Sequence, residues 1–252
     1  MDIAGSAPPG SDLATVIREY ATETRFLARR LTASAELVGP LVEDEMITAI
    51  ADAYPRRVLD VGCGTGDLTA RIQRELGVEV VGIDLSPRMV ELTAERGLSA
   101  QQGDVQALPF ADDHFDCVLA NRVLYHVPDL DRGLAEIARV LTAGGCLVAV
   151  TYSDDHLREL WDLLPSSAHP PLPFSAENGA DALRRQFAQV ERRDVAGTAR
   201  FRDLDAILSY FDSYGEFSTF SDVDLDACLQ GVEVPFDATY RHCVFVARDH
   251  GR

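Results

Sequence analysis

The chain has 252 residues, 46% of them hydrophobic, and a formal net charge of −18 from 23 basic and 41 acidic side chains. That length allows one large domain, or one domain with an inserted cap, around a sizeable core. The acidic balance argues against the phosphate attraction that dominates nucleic-acid affinity and against an anionic membrane surface. It is compatible with a cationic partner, and equally with plain solubility.

The five cysteines, Cys63, Cys117, Cys146, Cys228 and Cys243, are odd in number and widely spaced. With no Cys-x-x-Cys pair and no metal spacing, reduced cytosolic thiols and no metal site are expected. Acidic residues precede any apolar run, and no apolar stretch approaches 18 residues. The expectation is therefore a cytoplasmic protein without signal peptide or membrane span.

Met1 to Asp12 is rich in Ala, Gly, Ser and Pro and reads as a mobile tail. Leu13 to Leu31 carries Val16, Ile17, Tyr20, Phe26 and Leu27 at helical spacing. Thr32 to Val38 breaks that pattern. A second helix follows over Leu41 to Ala53, with Leu41, Met46, Ile47 and Ile50 on its face, and Tyr54-Pro55-Arg56-Arg57 ends it. Val58 to Val61 is apolar apart from Asp60 and reads as the end of a buried strand. Gly62, Gly64 and Gly66 follow at alternate positions, and Asp67 to Ile72 opens a helix. A strand running through glycines into a helix lets a ligand approach the backbone closely. Val78 to Ile83 is a second apolar strand, ending in Asp84. Twenty residues separate Gly64 from Asp84, the interval expected when a carboxylate at the tip of the second strand holds ribose hydroxyls.

A dinucleotide calls for Gly-x-Gly-x-x-Gly, with the pyrophosphate on the helix N-terminus. Here the spacing is Gly-x-Gly-x-Gly, bracketed by Asp60 and Asp67. Two carboxylates repel a pyrophosphate and suit a ligand that has an ammonium group and no phosphate. The stretch resembles motif I of class I S-adenosylmethionine-dependent methyltransferases, the small-molecule type. The resemblance implies S-adenosylmethionine as cofactor and S-adenosylhomocysteine as product.

Downstream residues extend the resemblance. Ser86 is placed as a helix N-cap, with Pro87 in the first turn. Leu98 to Gln102 is a short third strand leading to Gly103-Asp104-Val105. In the family an acidic residue there faces the adenine amino group, and its neighbour packs on the ring. Leu108-Pro109-Phe110, an acidic turn and Phe115-Asp116 precede a fourth strand, Cys117 to Ala120. Asn121 to Asp129 follows, and a helix from Asp129 or Leu130 runs through Leu141. Thr142 to Gly145 ends it, and Cys146 to Thr151 is the fifth strand. The resemblance covers about Val58 to Thr151. It implies cofactor contacts from Asp60, Gly62, Gly64, Gly66, Asp84, Leu85, Met89, Asp104, Val105 and Asn121. N-terminal helices cover the active site in related proteins, so Tyr20 and Arg25 reach the methionine end in one reading. In the other, Tyr20 is packing and Arg25 a solvated charge.

Beyond Thr151 the likeness is one of outline. Asp154 to Leu164 reads as a helix, and His169 to Phe174 as a rigid extended connection. A helix from Ala180 to Phe187, a sixth strand within Val190 to Phe201, a helix over Leu204 to Tyr214 and a final strand His242 to Ala247 complete the chain. The expected fold is α/β: a Rossmann-like, seven-stranded, mostly parallel sheet with helices on both faces, the last strand antiparallel, plus N-terminal helices and a cap insertion. The expected division is 1–54 for tail and covering helices, 55–151 for the cofactor core, and 152–252 for the cap and final strands.

Methyl transfer from a sulfonium is an in-line displacement that proximity and a dry site can drive without a metal. His126, just past the fourth strand, is the first candidate base, its alternative being a histidine bonded into its loop. Tyr125 is next, as a shaping residue. His156 and His169 lie in the cap region, where Asp154 and Asp155 either bind an ammonium substrate or start a helix. Trp161 reads as core rather than a cation cage, and His242 as structural. The acceptor expected is a small polar molecule, leaning to a cationic amine such as an amino sugar, with a phenolic or other hydroxyl next. The reading from a different class is a protein that binds cofactor or partner without catalysis. No nucleic acid or membrane partner is expected, and the chain is expected to be a monomer or homodimer.

Overall fold

The structure, a computed structural model, describes residues 34–165, 171–213 and 222–249. In chain order the elements are β1 (Glu36–Val38), α1 (Val42–Ala51), β2 (Arg57–Val61), α2 (Asp67–Leu76), β3 (Glu79–Asp84), α3 (Pro87–Glu95), β4 (Ser99–Gln102) and β5 (Phe115–Asn121). They continue with α4 (Leu130–Val140), β6 (Leu141–Tyr152), α5 (Arg158–Trp161), α6 (Gly179–Leu183), β7 (Gln189–Phe201), α7 (Leu204–Asp212), α8 (Leu225–Leu229) and β8 (Phe236–Arg248). All eight strands form one sheet, in the order β1-β7-β8-β6-β5-β2-β3-β4. The pairs from β4 through β6 are parallel. β8 is antiparallel to both neighbours.

Alternation along the central strands divides the core between the two faces of the sheet. On β5, Val118 and Ala120 join Leu59, Val61, Leu147 and Ala149 beneath Leu134 and Ile137 of α4. Cys117 and Leu119 face the other way, with Val58, Val148 and Val150, against Met46 and Ile50 of α1 and Ile72 of α2. A third cluster joins Trp161 of α5 to Tyr210 and Phe211 of α7 and to Phe201 and Tyr240 of the long β7–β8 pair.

Several expectations are corrected. The sheet has eight strands, not seven, because part of Thr32 to Val38 pairs antiparallel with β7 as β1. Three residues carry no periodic signal, so tertiary contacts decide. The Tyr240 hydroxyl donates to Pro40 O at 2.8 Å, in space left by the missing side chains of Gly39 and Gly197. The helix expected over Asp154 to Leu164 shrinks to α5. Glu177 binds the Ser153 hydroxyl at 2.7 Å and the Asp154 amide at 2.8 Å, and Leu157, at φ 53°, donates its amide to Thr239 O at 2.8 Å. Those bonds hold 153–157 in turns. β8 begins at Phe236, six positions before His242, because β7 supplies a ladder partner as far as Phe201. The short α8, capped by the Asp224 side chain on Ala227 N at 3.1 Å, was not expected. The helix expected over Leu13 to Leu31, with Tyr20 and Arg25, lies outside the described residues. Among those described, no helix is long and apolar enough to cross a membrane.

Candidate functional site

The order of the sheet reverses direction between β2 and β5, and ligands of open α/β sheets bind in the crevice at that point, off the carboxyl ends. β2 leaves the sheet at Val61 and enters the glycine turn. Gly62, Gly64 and Gly66 have φ of 70°, 55° and 76°, a region that L side chains rarely adopt. A Cβ on Gly62 would also lie 2.8 Å from Val123. The turn is pinned to β3, with Gly62 N and Cys63 N both donating to Ile83 O, at 2.7 and 3.2 Å.

Asp84 ends β3 beside this turn. Its Oδ2 accepts from Gly64 N at 3.0 Å and its Oδ1 from Ser86 N at 2.9 Å. Burial raises its carboxyl above the ordinary range, against the pull of those amides. Ser86 caps α3 as expected, accepting from Met89 N at 3.4 Å, and Met89 is buried. Leu85 O accepts from Gln102 Nε2 at 3.0 Å. Asp104, just past β4, accepts from Gln106 N at 2.8 Å, and Val105 is buried against the α4 side of the core. Asn121, half-buried, ends β5.

The two carboxylates that bracket the turn serve it differently. Asp67 pairs with Arg96 at 2.7 Å and accepts from the Thr65 hydroxyl at 2.9 Å. Asp60 is 1% exposed and accepts from the Thr69 hydroxyl at 2.6 Å, joining β2 to α2. Burial pushes its carboxyl up to about 7, opposed by the Thr69 bond and reinforced by the charge of Asp84. The case against a pyrophosphate therefore rests on Asp84 and Asp104 more than on the bracketing pair. The arginine at the turn, Arg96, is already committed to Asp67 and to Thr65 O. Carboxylates at the tips of adjacent strands can accept from ribose hydroxyls and an exocyclic amino group. This set of acceptors fits the ribose hydroxyls and adenine amino group of S-adenosylmethionine.

A second constellation lies off the same end of the sheet. Arg122, at φ 56°, directs Nη2 to Glu43 Oε1 of α1 at 3.0 Å and to within 3.5 Å of His242 Nε2. Its guanidinium carbon lies 5.6 Å from the Tyr152 ring centroid. Tyr152 stacks obliquely with His156 at 4.5 Å, His242 at 5.1 Å and Tyr125 at 6.0 Å. Tyr125 and His126 occupy a single 3-10 turn after β5, with ring centroids 4.5 Å apart. His242 and His156 are both buried. Burial, with the charge of Arg122 next in weight, holds His242 well below the ordinary imidazole range, so its ring is neutral. Arg122 carried no motif in the sequence. The signal available was a cation directly after a buried strand at the switch point.

Other candidates resolve differently. Trp161 packs against Phe211 at 5.4 Å and Tyr210 at 6.4 Å as core. Asp155 pairs with Arg158 at 2.7 Å. Asp154 Oδ1 is buried without a partner among the described residues. His169 lies outside them. Asp203 and Asp224 cap α7 and α8, and Asp205 and Asp226 sit in their first turns, where a carboxylate favours the helix N-terminus. Among the described residues, no group of three or more His, Cys, Asp or Glu side chains is arranged to hold a metal ion.

Residues 59–149 match the family described as a methyltransferase domain. The O-methyltransferase cnsE of Penicillium expansum is 36% identical over 179 residues, covering 66% of this chain and 64% of its own length. The ubiquinone/menaquinone biosynthesis C-methyltransferase UbiE of Proteus mirabilis is 34% identical over 142 residues, 51% of this chain and 57% of its own. The chain thus spans less than two thirds of the length of these curated relatives. Among solved structures, the [4+2]-cyclase SpnF superposes with a TM-score of 0.63 at 18% identity, covering 98% of this chain and all of its own. The YcgJ protein of Bacillus subtilis does so at 0.58 and 19%, covering 82% of this chain and all of its own. These two likenesses are of fold. The family match marks residues 59–149 as similar to a methyltransferase domain, and the two structural likenesses give the chain a Rossmann-like fold, with the glycine turn at its switch point.

Proposed function

We propose that the protein transfers a methyl group from S-adenosylmethionine to a small polar molecule. The observation that carries this reading is the glycine turn at the switch point, with three positive φ angles and with Asp84 and Asp104 at the neighbouring strand tips. In this reading Asp84 accepts from the ribose hydroxyls, Asp104 accepts from the adenine amino group and Val105 packs on the ring. Gly62, Gly64 and Gly66 let the backbone approach the ligand. Asp60 supports the turn from β2, Leu85 and Met89 line the ribose side, and Asn121, Tyr20 and Arg25 serve the methionine end.

When bound, the cofactor supplies an electrophilic methyl group on a sulfonium. The chain's own residues then align the acceptor, exclude water and, at His126, take a proton where the acceptor must lose one. Tyr125 shapes the approach. No metal is required of this chemistry. The net charge of −18 supports a small-molecule acceptor over nucleic acid. A cationic amine draws on that charge and on the buried, unpartnered oxygen of Asp154. An oxygen or activated-carbon acceptor draws on the similarity to the named O- and C-methyltransferases. The second reading, a site that binds cofactor without methyl transfer, is supported by the likeness in fold to a [4+2]-cyclase.

Calorimetric titration with S-adenosylhomocysteine and with NAD tests the cofactor. Binding of the first and not the second is expected, and the reverse preference would sink the proposal. Release of S-adenosylhomocysteine across a panel of amines, phenols and acids then separates turnover from binding alone.

A further inference from the structure

We infer that Thr93 and Arg96, at the end of α3, are positioning residues for the cofactor: they clamp the glycine turn in the shape that receives it. This rests on the cofactor reading and goes beyond it by tying cofactor affinity to two further side chains, which hold the turn and not the ligand.

The turn needs holding. Gly62, Gly64 and Gly66 all adopt positive φ, and glycine gives up more conformational freedom on ordering than any other residue. A turn that is ordered before its ligand arrives spares binding that cost. Backbone bonds do part of the work: the amides of Gly62 and Cys63 donate to Ile83 O, and that of Gly66 to Cys63 O at 3.0 Å. Among the described residues, Gly64 O and Thr65 O accept from no backbone amide, although both residues are buried. Buried carbonyls need donors. α3 supplies them.

Thr93 and Arg96 stand three positions apart, at the last turn of α3 and its C-cap, the spacing that puts two side chains on one helix face. Thr93 is buried and donates its hydroxyl hydrogen to Gly64 O at 3.0 Å. The Cys63 thiol lies 3.6 Å from the same hydroxyl oxygen. A hydroxyl has one hydrogen, so the thiol is the donor at that contact. Arg96 donates Nε to Thr65 O at 2.7 Å and sets Nη2 2.7 Å from Asp67 Oδ1. The Thr65 hydroxyl donates to Asp67 Oδ2 at 2.9 Å. Thr65, Asp67 and Arg96 thus close a ring that grips Thr65 by both its carbonyl and its side chain. The packing is flush as well: a Cβ on Gly66 would stand 2.8 Å from Thr93 Oγ1 and 3.0 Å from Thr93 Cα.

Asp84 completes the clamp. It takes the Gly64 amide with one oxygen and Ser86 N, at the start of α3, with the other. Both backbone groups of Gly64 are therefore tied to α3, the amide through Asp84 and the carbonyl through Thr93. A half-exposed ion pair contributes little by itself. The contribution of Arg96 lies in its fork, which reaches a carbonyl and a carboxylate at once, as the single ammonium of a lysine does not.

The test titrates S-adenosylhomocysteine into Thr93→Val, Thr93→Ser, Arg96→Gln and Arg96→Lys under conditions where each is folded. Amide hydrogen exchange over residues 62–67 is followed in the same proteins without ligand. Thr93→Val keeps the shape and loses the donor, and should weaken binding about fivefold or more. Thr93→Ser keeps the hydroxyl and should stay within about twofold of the parent. Arg96→Gln and Arg96→Lys should both weaken binding, because neither spans the two acceptors. Exchange over 62–67 should quicken in the three weakened variants while the middle of β2 and β5 stays protected. A purely structural role would lower the urea midpoint and leave the affinity of the folded protein as it was. Parental affinity in Thr93→Val and Arg96→Gln, equal losses in Thr93→Ser and Thr93→Val, parental binding by Arg96→Lys, or unchanged exchange over the turn would each overturn the inference. The serine and lysine variants decide it where a harsher substitution does not fold. Should the parent fail to bind S-adenosylhomocysteine, the cofactor reading fails by itself, and the exchange measurement still judges whether Thr93 and Arg96 hold the turn.

Discussion

The Gly64 amide donates to Asp84 Oδ2 across 3.0 Å, so the tip of β3 is fastened to the middle of the glycine turn. The other oxygen of Asp84 holds Ser86 N at the start of α3. Each carboxylate oxygen has a second lone pair, so one side chain can order the turn and still accept from a ligand's hydroxyls. Replacing Asp84 with Ala should weaken S-adenosylhomocysteine binding by about 2–4 kcal/mol, since charge-assisted bonds and a turn restraint are lost together. Calorimetric titration measures this, and a variant that binds as the parent does would remove Asp84 from the site.

Asp60 should make stability depend on pH. Its carboxyl is raised from 3.8 to about 7, chiefly by burial, with Thr69 opposing and Asp84 reinforcing. A group so raised keeps its proton in the folded chain at pH values where the unfolded chain has lost it. Its contribution is fully present below about pH 4 and is lost as pH rises through about 7, on the order of 4 kcal/mol over that interval. Asp60→Asn should flatten this slope. Denaturant unfolding of parent and variant at about pH 4 and pH 8 gives the comparison, and parallel curves would contradict the assignment.

His126 should matter to turnover and not to cofactor affinity. It shares a turn with Tyr125 off the end of β5, at the end of the sheet that carries the glycine turn. His126→Ala is expected to lower turnover ~10²-fold with S-adenosylhomocysteine affinity unchanged. Near-parental turnover would leave alignment and exclusion of water as the sources of catalysis.

Trp161 should behave as core. It is 5% exposed and packs edge-on against Phe211 and Tyr210. Trp161→Ala should destabilise the fold by about 3–5 kcal/mol in urea unfolding, while S-adenosylhomocysteine affinity stays near the parent's in the folded fraction. A stable variant with altered ligand binding would instead favour a cation cage.

The half of the sheet around the glycine turn was legible in the sequence, because its determinants are local. Val58 to Val61 is buried on both faces and reads as an apolar run, the glycines at 62, 64 and 66 mark positive φ, and Ser86 with Pro87 marks a helix start. Asp84 could be located by counting, because one strand–helix–strand unit has a nearly constant length. The second constellation, off the ends of β5 and β6, was decided by tertiary structure. Glu43, Arg122, Tyr152, His156 and His242 come from α1, the end of β5, the end of β6, the turn after it and β8, and only the sheet order brings them together. β1 likewise exists because β7 offers an edge and Tyr240 fills the space beside two glycines. Backbone conformation follows from neighbours in the chain. Burial, unmet hydrogen bonds and the neutral state of His242 follow from neighbours in space, which no local pattern encodes.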